Sequence, residues 1–597
     1  MKRKPADGVI YRLLENAWTN DRAIYGVCAG FTLAAIGAQA LPIAFTRLLV
    51  ACLTGPAPAL RTIFLLVGAF FLLGSGVNFL REWLLDCGYP RLTALRIDYV
   101  RDLSVKLLEM DYPHVESATF FDENETAFHA PASNDNGVEA ILHRLFELPQ
   151  TALIVLALSV FLGLRSVPVM LAVFLRLAVS LVSAVRVQKY EYSRKNETNR
   201  HERRLWTYSE NARDFAYGKD VRLYDLRGRV LDHFQLELRG YLDVLRAVRR
   251  REFAFGLLGL AALLLSDGLS YGLLARAVCR GMAISDFTMY AAAVSALSAQ
   301  LTVLSDSAAV ILREYRYVRD FYAFMDRDLT GRSGSLPAPA AQAPLSVEFR
   351  DVSFRYPGAQ ESVLEHFSLT IPAGQRLALV GVNGAGKTTL VKLLTGLFHP
   401  DSGKILLNGV DAEAFSPEAR RSMFAAVFQD VNVFAFTAAQ NVACRLEGFD
   451  RTRVRESLEQ AGIWEKIRSL PHGMDTMLLK VIDEDGAALS GGEAQKLAIA
   501  RALYKGGSCI LMDEPTAALD ALAEAEIYER FAAMTAGKTA VYISHRLAST
   551  KFCDRIALLG RTGLLEYGTH DELMAKNGVY RQMFMTQGKY YQEEEAG

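Results

Sequence analysis

The sequence predicts a multidomain chain of 597 residues. An all-α polytopic membrane domain, with six transmembrane helices and long cytoplasmic extensions, precedes an α/β P-loop domain. Three observations carry this. Apolar runs of bilayer length recur in the first half and stop near residue 312. A Gly/Ser/Pro/Ala-rich linker at 327–344 then marks the clearest boundary, leaving domains at 1–326 and 345–597. Beyond it, Gly381-Val382-Asn383-Gly384-Ala385-Gly386-Lys387-Thr388-Thr389 lies between a strand-like run at 377–380 and a helix-like run at 390–394.

Composition agrees with that division. The chain is 51% apolar with a mean hydropathy of +0.13, and the excess is concentrated in the first half. Lys+Arg and Asp+Glu both total 66, so no global charge argues for a nucleic-acid partner. Seven scattered cysteines form no C-x-x-C pair, which argues against a zinc site and a disulfide framework. The basic start Met1-Lys2-Arg3-Lys4-Pro5 is not followed by a short apolar core and cleavage site, so a cleaved signal peptide is not expected.

Residues 9–18 have helical apolar spacing and suit either an amphipathic helix at the membrane surface or a plain soluble helix. The first crossing is 23–53, broken by Thr54-Gly55-Pro56-Ala57-Pro58, and 62–80 returns. Two more follow at 145–164 and 169–185, turned by Arg165-Ser166-Val167-Pro168; the fifth and sixth are 253–274 and 287–312. The polar stretches 81–142 and 186–251 contain few breakers and are expected to be helices projecting from the bilayer. Each has one interruption, at 112–123 and 208–226, that could present a short element to another domain. The second stretch is basic, so by the positive-inside tendency this side, both termini and the P-loop domain are cytoplasmic in a multi-pass cell-membrane protein.

The chemistry sits in the second half. A Gly-rich turn before a helix converges backbone N–H groups on an anion, and the helix dipole adds positive potential. Lys387 supplies a charge for the outer phosphates of a nucleotide, and Thr388 a hydroxyl for Mg²⁺. The strand-like run 509–512 ends in Asp513, placed as a Mg²⁺ ligand, and Glu514, which can polarise an attacking water as general base. Leu489-Ser490-Gly491-Gly492-Glu493 opens a second helix N-terminus. Two such anion sites for one nucleotide make sense in a head-to-tail dimer, each signature turn completing the partner's site.

The P-loop, the Leu489–Glu493 turn, Asp513-Glu514-Pro515 and Ser544-His545, in that order, resemble ATP-binding-cassette (ABC) proteins. Six spans before one cassette look like a half-transporter of the exporter fold. The resemblance implies ATP and Mg²⁺ as cofactors, with ATP held by Gly381, Asn383, Gly384, Ala385, Gly386, Lys387, Thr388 and Thr389. It implies that Tyr356 stacks on adenine, that Gln429 reaches Mg²⁺ and the attacking water, that His545 holds the γ-phosphate, and that Asp520 lies in a dimer-contact loop. The two interruptions match the family's coupling helices, the second reaching across to the partner's cassette. Two departures stand out: Glu493 replaces the usual Gln, and Asp483 replaces a Gly in Asp483-Glu484-Asp485-Gly486. Nothing resembling a cysteine peptidase domain precedes the first span, so leader-peptide cleavage is not expected.

The expected activity is ATP hydrolysis driving alternating access, with export ahead of an exporter-fold importer of siderophore-like cargo or a regulatory ATPase without transport. The expected partners are a second half-transporter (homodimer or heterodimer), membrane lipid and an unidentified cargo. Charges within spans are costly and point to substrate or to packing. Arg176 and Asp267 both fall about nine residues from the outer ends of their spans, roughly 14 Å deep at the helical rise, and are expected to face one another or a shared aqueous cavity. A packing ion pair is favoured over substrate binding. Asp306 is expected to line the inner cavity, and Asn196-Glu197-Thr198 matches a glycosylation acceptor that would stay unmodified on the cytoplasmic side.

Overall fold

The computed structural model describes residues 8–594 apart from 56–59, 165, 215–216, 332–333, 340–342, 482, 516–530, 532–534, 536 and 562. It divides into two compact units. The first comprises Met1–Leu108 and Phe121–Arg327; the second comprises Glu109–Phe120 and Asp328–Gly597.

The first unit is helical: α1 (Val9–Asn20), α2 (Ala23–Leu53), α3 (Leu60–Glu109), α4 (Ala118–Phe128), α5 (Gly137–Gly163), α6 (Val167–Ser193), α7 (Lys195–Arg213), α8 (Gly218–Leu223), α9 (Arg227–Cys279) and α10 (Ile284–Asp326). Among the described residues, six of these (α2, α3, α5, α6, α9 and α10) are long and apolar enough to cross a membrane. Their large side chains, such as Phe64, Leu72, Leu175 and Leu265, are exposed along the apolar runs, as a lipid-facing surface requires. The inner faces of α5, α6 and α10 share a core that includes Ile154, Val173, Val294 and Leu297.

The polar extensions are helices, as their lack of breakers predicts, with narrower interruptions than expected. Helix α7 runs unbroken to Arg213, so residues 208–213 belong to it rather than to a separate element; the chain breaks at Asp214 and resumes as α8. In the first interruption, Tyr112–His114 form a single 3-10 turn with Pro113 at its start, and α4 follows from Ala118.

The second unit has two sheets. A four-stranded antiparallel sheet runs in the order β2-β1-β4-β5, with β1 (Val347–Phe354), β2 (Leu364–Ile371), β4 (Ser402–Leu407) and β5 (Val410–Asp411). A six-stranded sheet is ordered β10-β9-β3-β8-β7-β6, from β3 (Arg376–Gly381), β6 (Phe424–Val427), β7 (Cys509–Asp513), β8 (Thr539–Ile543), β9 (Arg555–Leu559) and β10 (Leu564–Gly568). Four of its five pairings are parallel, joining β9, β3, β8, β7 and β6, and only β10 is antiparallel. Strands β7 and β8 are buried at every residue, which explains their continuous apolar sequences.

Two stretches read as polar connections belong with this unit. Within the linker, Leu336 pairs with Phe415 as an isolated parallel bridge, its amide donating to Ala414 O at 3.0 Å. Within Glu109–Phe120, Tyr112 sets its ring edge-on to Phe398 (5.7 Å) and Glu116 pairs with Lys392 (2.6 Å).

Candidate functional site

The centre of the parallel sheet positions the site. Strands β3, β8 and β7 are neighbours, and their C-terminal ends deliver Gly381, Ser544-His545 and Asp513-Glu514 to one edge. The P-loop leaves β3 at Gly381, whose φ is +150° and where a Cβ would lie 2.4 Å from Leu559 O. It closes on Gly386, in the left-handed region at φ +86°, and α11 (Lys387–Thr395) begins there. The loop opens on a cleft of about 700 Å³ lined by Tyr356, Asn383, Thr388, Gln429, Glu514 and His545, among others.

Lys387 is buried, and its ammonium donates to the carbonyls of Gly381 (2.9 Å) and Val382 (3.1 Å). Burial lowers its pKa, opposed by the charges of Glu514 and Asp513. Its present acceptors are neutral, so an anion in the cleft would compete for its donors on favourable terms.

The fit for Mg²⁺ rests on Asp513. This carboxylate is 1% exposed and neither oxygen has a hydrogen-bond partner among the described residues. Burial raises its pKa; the Thr388 hydroxyl lies close enough to oppose that shift, though outside hydrogen-bond geometry. An orphaned buried carboxylate beside a threonine hydroxyl is the hard-oxygen environment Mg²⁺ requires.

Glu514 occupies the left-handed region at φ +49°, a conformation costing roughly 1 kcal/mol for a residue with a Cβ. Two bonds hold it there: its amide donates to Ile543 O (3.1 Å), and Gln495 Nε2 donates to its carbonyl (3.0 Å). Its Oε1 meets His545 Nε2 at 2.5 Å. The His545 loop is itself anchored by the helix Val579–Glu594: Gln587 donates to His545 O (2.7 Å) and accepts from Leu547 N (2.9 Å). Gln495 lies two residues beyond the quoted Leu489–Glu493 turn, on the helix it opens, whereas nothing in the spacing of residues singled out Gln587.

Tyr356 stands at the rim of the cleft, its hydroxyl 3.0 Å from Thr389 Oγ1 and its ring against Phe354 and Phe398. The signature turn lies elsewhere. Ser490 caps the helix Gly491–Lys505 through a reciprocal box: Ser490 N donates to Glu493 Oε2 (2.8 Å), and Glu493 N donates to Ser490 Oγ (3.3 Å). Burial alone would raise the Glu493 pKa, but the Ser490 amide and hydroxyl and Lys466 hold it below the usual carboxylate range. The departure from Gln thus occupies the acceptor position of a helix cap, which carboxylate or amide can fill. None of residues 489–493 lines the P-loop cleft of this chain. The other departure, Asp483, is exposed and accepts from the Asp485 amide (3.1 Å), tightening the turn before Gly486. Asp520 lies outside the described residues.

In the first unit, Arg176 is buried and its guanidinium donates to Ser298 Oγ and to Thr302 Oγ1 (2.6 Å). Ser298 in turn donates to Asp267 Oδ1 (3.0 Å). Arg176 and Asp267 are therefore joined through a hydroxyl rather than as a direct ion pair, because Ser298 stands between them. Arg176 and Asp306 line one cavity; Asp267 does not.

Comparison with known proteins agrees with this architecture. Residues 364–517 match the family model described as ABC transporter. The chain is 37% identical over 325 residues to a protein of Polaromonas sp. named ATP-dependent lipid A-core flippase, covering 54% of each chain. It is 33% identical over 329 residues to one of the same name from Haemophilus ducreyi, covering 55% of this chain and 56% of that one. The aligned part thus spans about half the length of these curated relatives. A solved structure described as a bacterial Atm1-family ABC exporter with ATP bound superposes with a TM-score of 0.79 at 23% identity, over 95% of this chain and 98% of that one. Residues 364–517 are thus an ABC transporter domain, and the chain as a whole has the fold of that exporter: six helices long and apolar enough to cross a membrane, followed by one nucleotide-binding domain.

Proposed function

We propose that the chain is one half of a dimeric, ATP-driven exporter whose two composite nucleotide sites close and reopen as ATP binds and is hydrolysed. The observation that carries this reading is the divided site. Lys387, Gln429, Asp513, Glu514 and His545 gather around one cleft or its buried edge, while Ser490–Glu493 of the same chain lies outside it. A second half-transporter supplying that turn in trans completes the site.

In this reading the P-loop amides and Lys387 bind the phosphates, Tyr356 packs on the adenine, and Asp513, Thr388 and Gln429 hold Mg²⁺, which neutralises phosphate charge when bound. Glu514 accepts the proton of the attacking water, and His545 orients Glu514 and reaches the γ-phosphate. The relatives' names support a lipid-like cargo, the solved neighbour's description supports export, and the basic second polar stretch supports placing both termini and the nucleotide-binding domain in the cytoplasm. The intact set Lys387, Ser490, Glu514 and His545 supports a homodimer, or the active partner of a heterodimer.

Complementation tests the composite site. Lys387→Ala and Ser490→Arg each disable both sites of a homodimer, yet a mixed dimer keeps one intact site. ATPase activity that returns in membranes co-expressing the two variants supports the reading; activity absent from every combination, with both variants expressed and inserted, overturns it. ATP-dependent uptake into inside-out but not right-side-out vesicles checks the direction.

A further inference from the structure

The first unit holds a half-open cavity of about 930 Å³ lined by α6, α7, α9 and α10, whose walls around Arg176 differ in chemistry. On one side, α6 and α10 present Arg176, Ser180, Thr302, Ser305 and Asp306. On the other, α9 presents Phe255, Leu260 and Leu263, with Gly256 and Gly259 between them. A Cβ built at either glycine meets nothing within 4 Å, so this wall leaves room for an occupant.

The polar wall is not fully satisfied within the chain. Ser180 and Ser305 bond each other (2.6 Å) and make no demand on a ligand. Arg176 is nine-tenths buried, yet its acceptors are two neutral hydroxyls, and its nearest anion in that network, Asp267, is reached only through Ser298. Asp306 makes no hydrogen bond or ion pair among the described residues and is exposed to the cavity. The guanidinium spans Ser298 and Thr302, and Asp306 lies four residues beyond Thr302 along α10, about 6 Å further at the helical rise. Arg144 is the one charge that acts on Asp306, without an ion pair among the described residues, so two charges of opposite sign on neighbouring spanning helices face one cavity with no direct partner, and an occupant with counter-charges at that spacing is favoured.

Building on the transporter reading above, we propose that this cavity binds a zwitterionic group, its anion on Arg176 and its ammonium on Asp306, with apolar substance against α9. A zwitterionic lipid headgroup and a soluble phosphate–amine solute share that chemistry. A purely anionic lipid would satisfy Arg176 and leave Asp306 facing a like charge.

Equilibrium binding to the purified, nucleotide-free chain in maltoside micelles tests this with three probes: dihexanoyl-phosphatidylethanolamine, dihexanoyl-phosphatidylglycerol and glycerophosphoethanolamine. The phosphatidylethanolamine should bind at least tenfold tighter than the phosphatidylglycerol. Asp306→Asn should erase that preference, and Arg176→Gln should weaken both. Glycerophosphoethanolamine binding as tightly as its acylated form identifies a soluble zwitterion; binding tenfold weaker identifies a lipid; either supports the assignment. Equal affinity for the two lipids, an Asp306→Asn variant with its preference intact, or no binding of any probe overturns it. Because the assay needs no ATP, its failure leaves the complementation result untouched, and the failure of complementation leaves this result untouched.

Discussion

At the scale of single residues, the site is organised around groups whose ordinary partners are withheld. Asp513 is buried with no hydrogen-bond partner among the described residues, Lys387 leans on two backbone carbonyls, and Glu514 is held in a left-handed conformation by Ile543 and Gln495. Glu514→Gln keeps the shape and the hydrogen bonds to the backbone but removes the base. Turnover should fall by about 10²–10⁴-fold while ATP stays bound, measured by single-turnover hydrolysis beside nucleotide retention. Gln587 does not itself line the cleft and holds the His545 loop through its backbone. Gln587→Ala should lower kcat several-fold with KM for ATP nearly unchanged; a rise in KM with kcat intact would instead mark it as a binding residue. Glu493 has a depressed pKa, so its contribution to the helix cap is present above its unfolded value and is lost as pH falls through the lower folded one. Glu493→Gln should therefore flatten the acid limb of the stability profile and leave neutral-pH stability nearly unchanged, as followed by thermal unfolding from pH 3 to 7.

At the scale of elements, the helix that carries the P-loop is tied down at its far end. Arg420, 4% exposed, donates to the carbonyls of Leu393 and Leu394 in the last turn of α11, where a cation also favours the dipole. Glu413 bridges Arg420 (2.8 Å) to His399 (2.7 Å). The hydrogen bond to Glu413 raises the His399 pKa; for Glu413, burial pushes up but His399 and Arg420 together bring it down. The raised imidazole contributes stability that is full below its unfolded value and lost as pH rises through the folded one. The depressed carboxyl contributes stability above its unfolded value and loses it as pH falls. The cluster is thus strongest between the carboxylate range and the raised histidine value. His399→Gln should flatten the loss of nucleotide-domain stability between pH 6 and 8. Removing the anchor by Arg420→Ala should cost about 3 kcal/mol in denaturant unfolding, since it leaves two buried carbonyls without their donor and takes one of two cationic partners from Glu413. Much at this scale was legible in advance. The apolar run 377–380 and the Gly-rich turn specify strand and loop because each has one plausible period and one steric solution. Gln587 and Arg420 were not legible: their partners lie 42 and 26 residues away in sequence, and a single glutamine or arginine carries no periodicity.

At the scale of the whole chain, six apolar runs announce six spans because bilayer thickness fixes their length, whereas what those spans enclose depends on contacts no run reveals. The hydroxyls of Ser298 and Thr302, which decide how Arg176 is held, sit in a stretch whose Ala/Ser content alone was visible. The interruption read at 112–123 falls largely within Glu109–Phe120, which belongs to the nucleotide-binding unit, where Tyr112 and Glu116 find aromatic and cationic partners. Lys392 places its ammonium within 5.7 Å of the Tyr112 ring and 5.4 Å of the Tyr356 ring, so one cation is shared between that segment and the rim of the cleft. Lys392→Met should leave ATP affinity within about threefold while reducing cargo-stimulated ATPase more than basal ATPase, which paired activity assays would resolve.

The helix cap at Ser490 bears on when two such chains come together. Its oxygen already accepts the Glu493 amide, so what the hydroxyl has left to offer an approaching surface is chiefly its proton. A donor pressed against a neutral, dry surface loses its water for nothing, whereas a phosphate oxygen on the opposite face repays the loss. In the proposed dimer, association of the two cassettes would then be a logical conjunction, needing partner and nucleotide together.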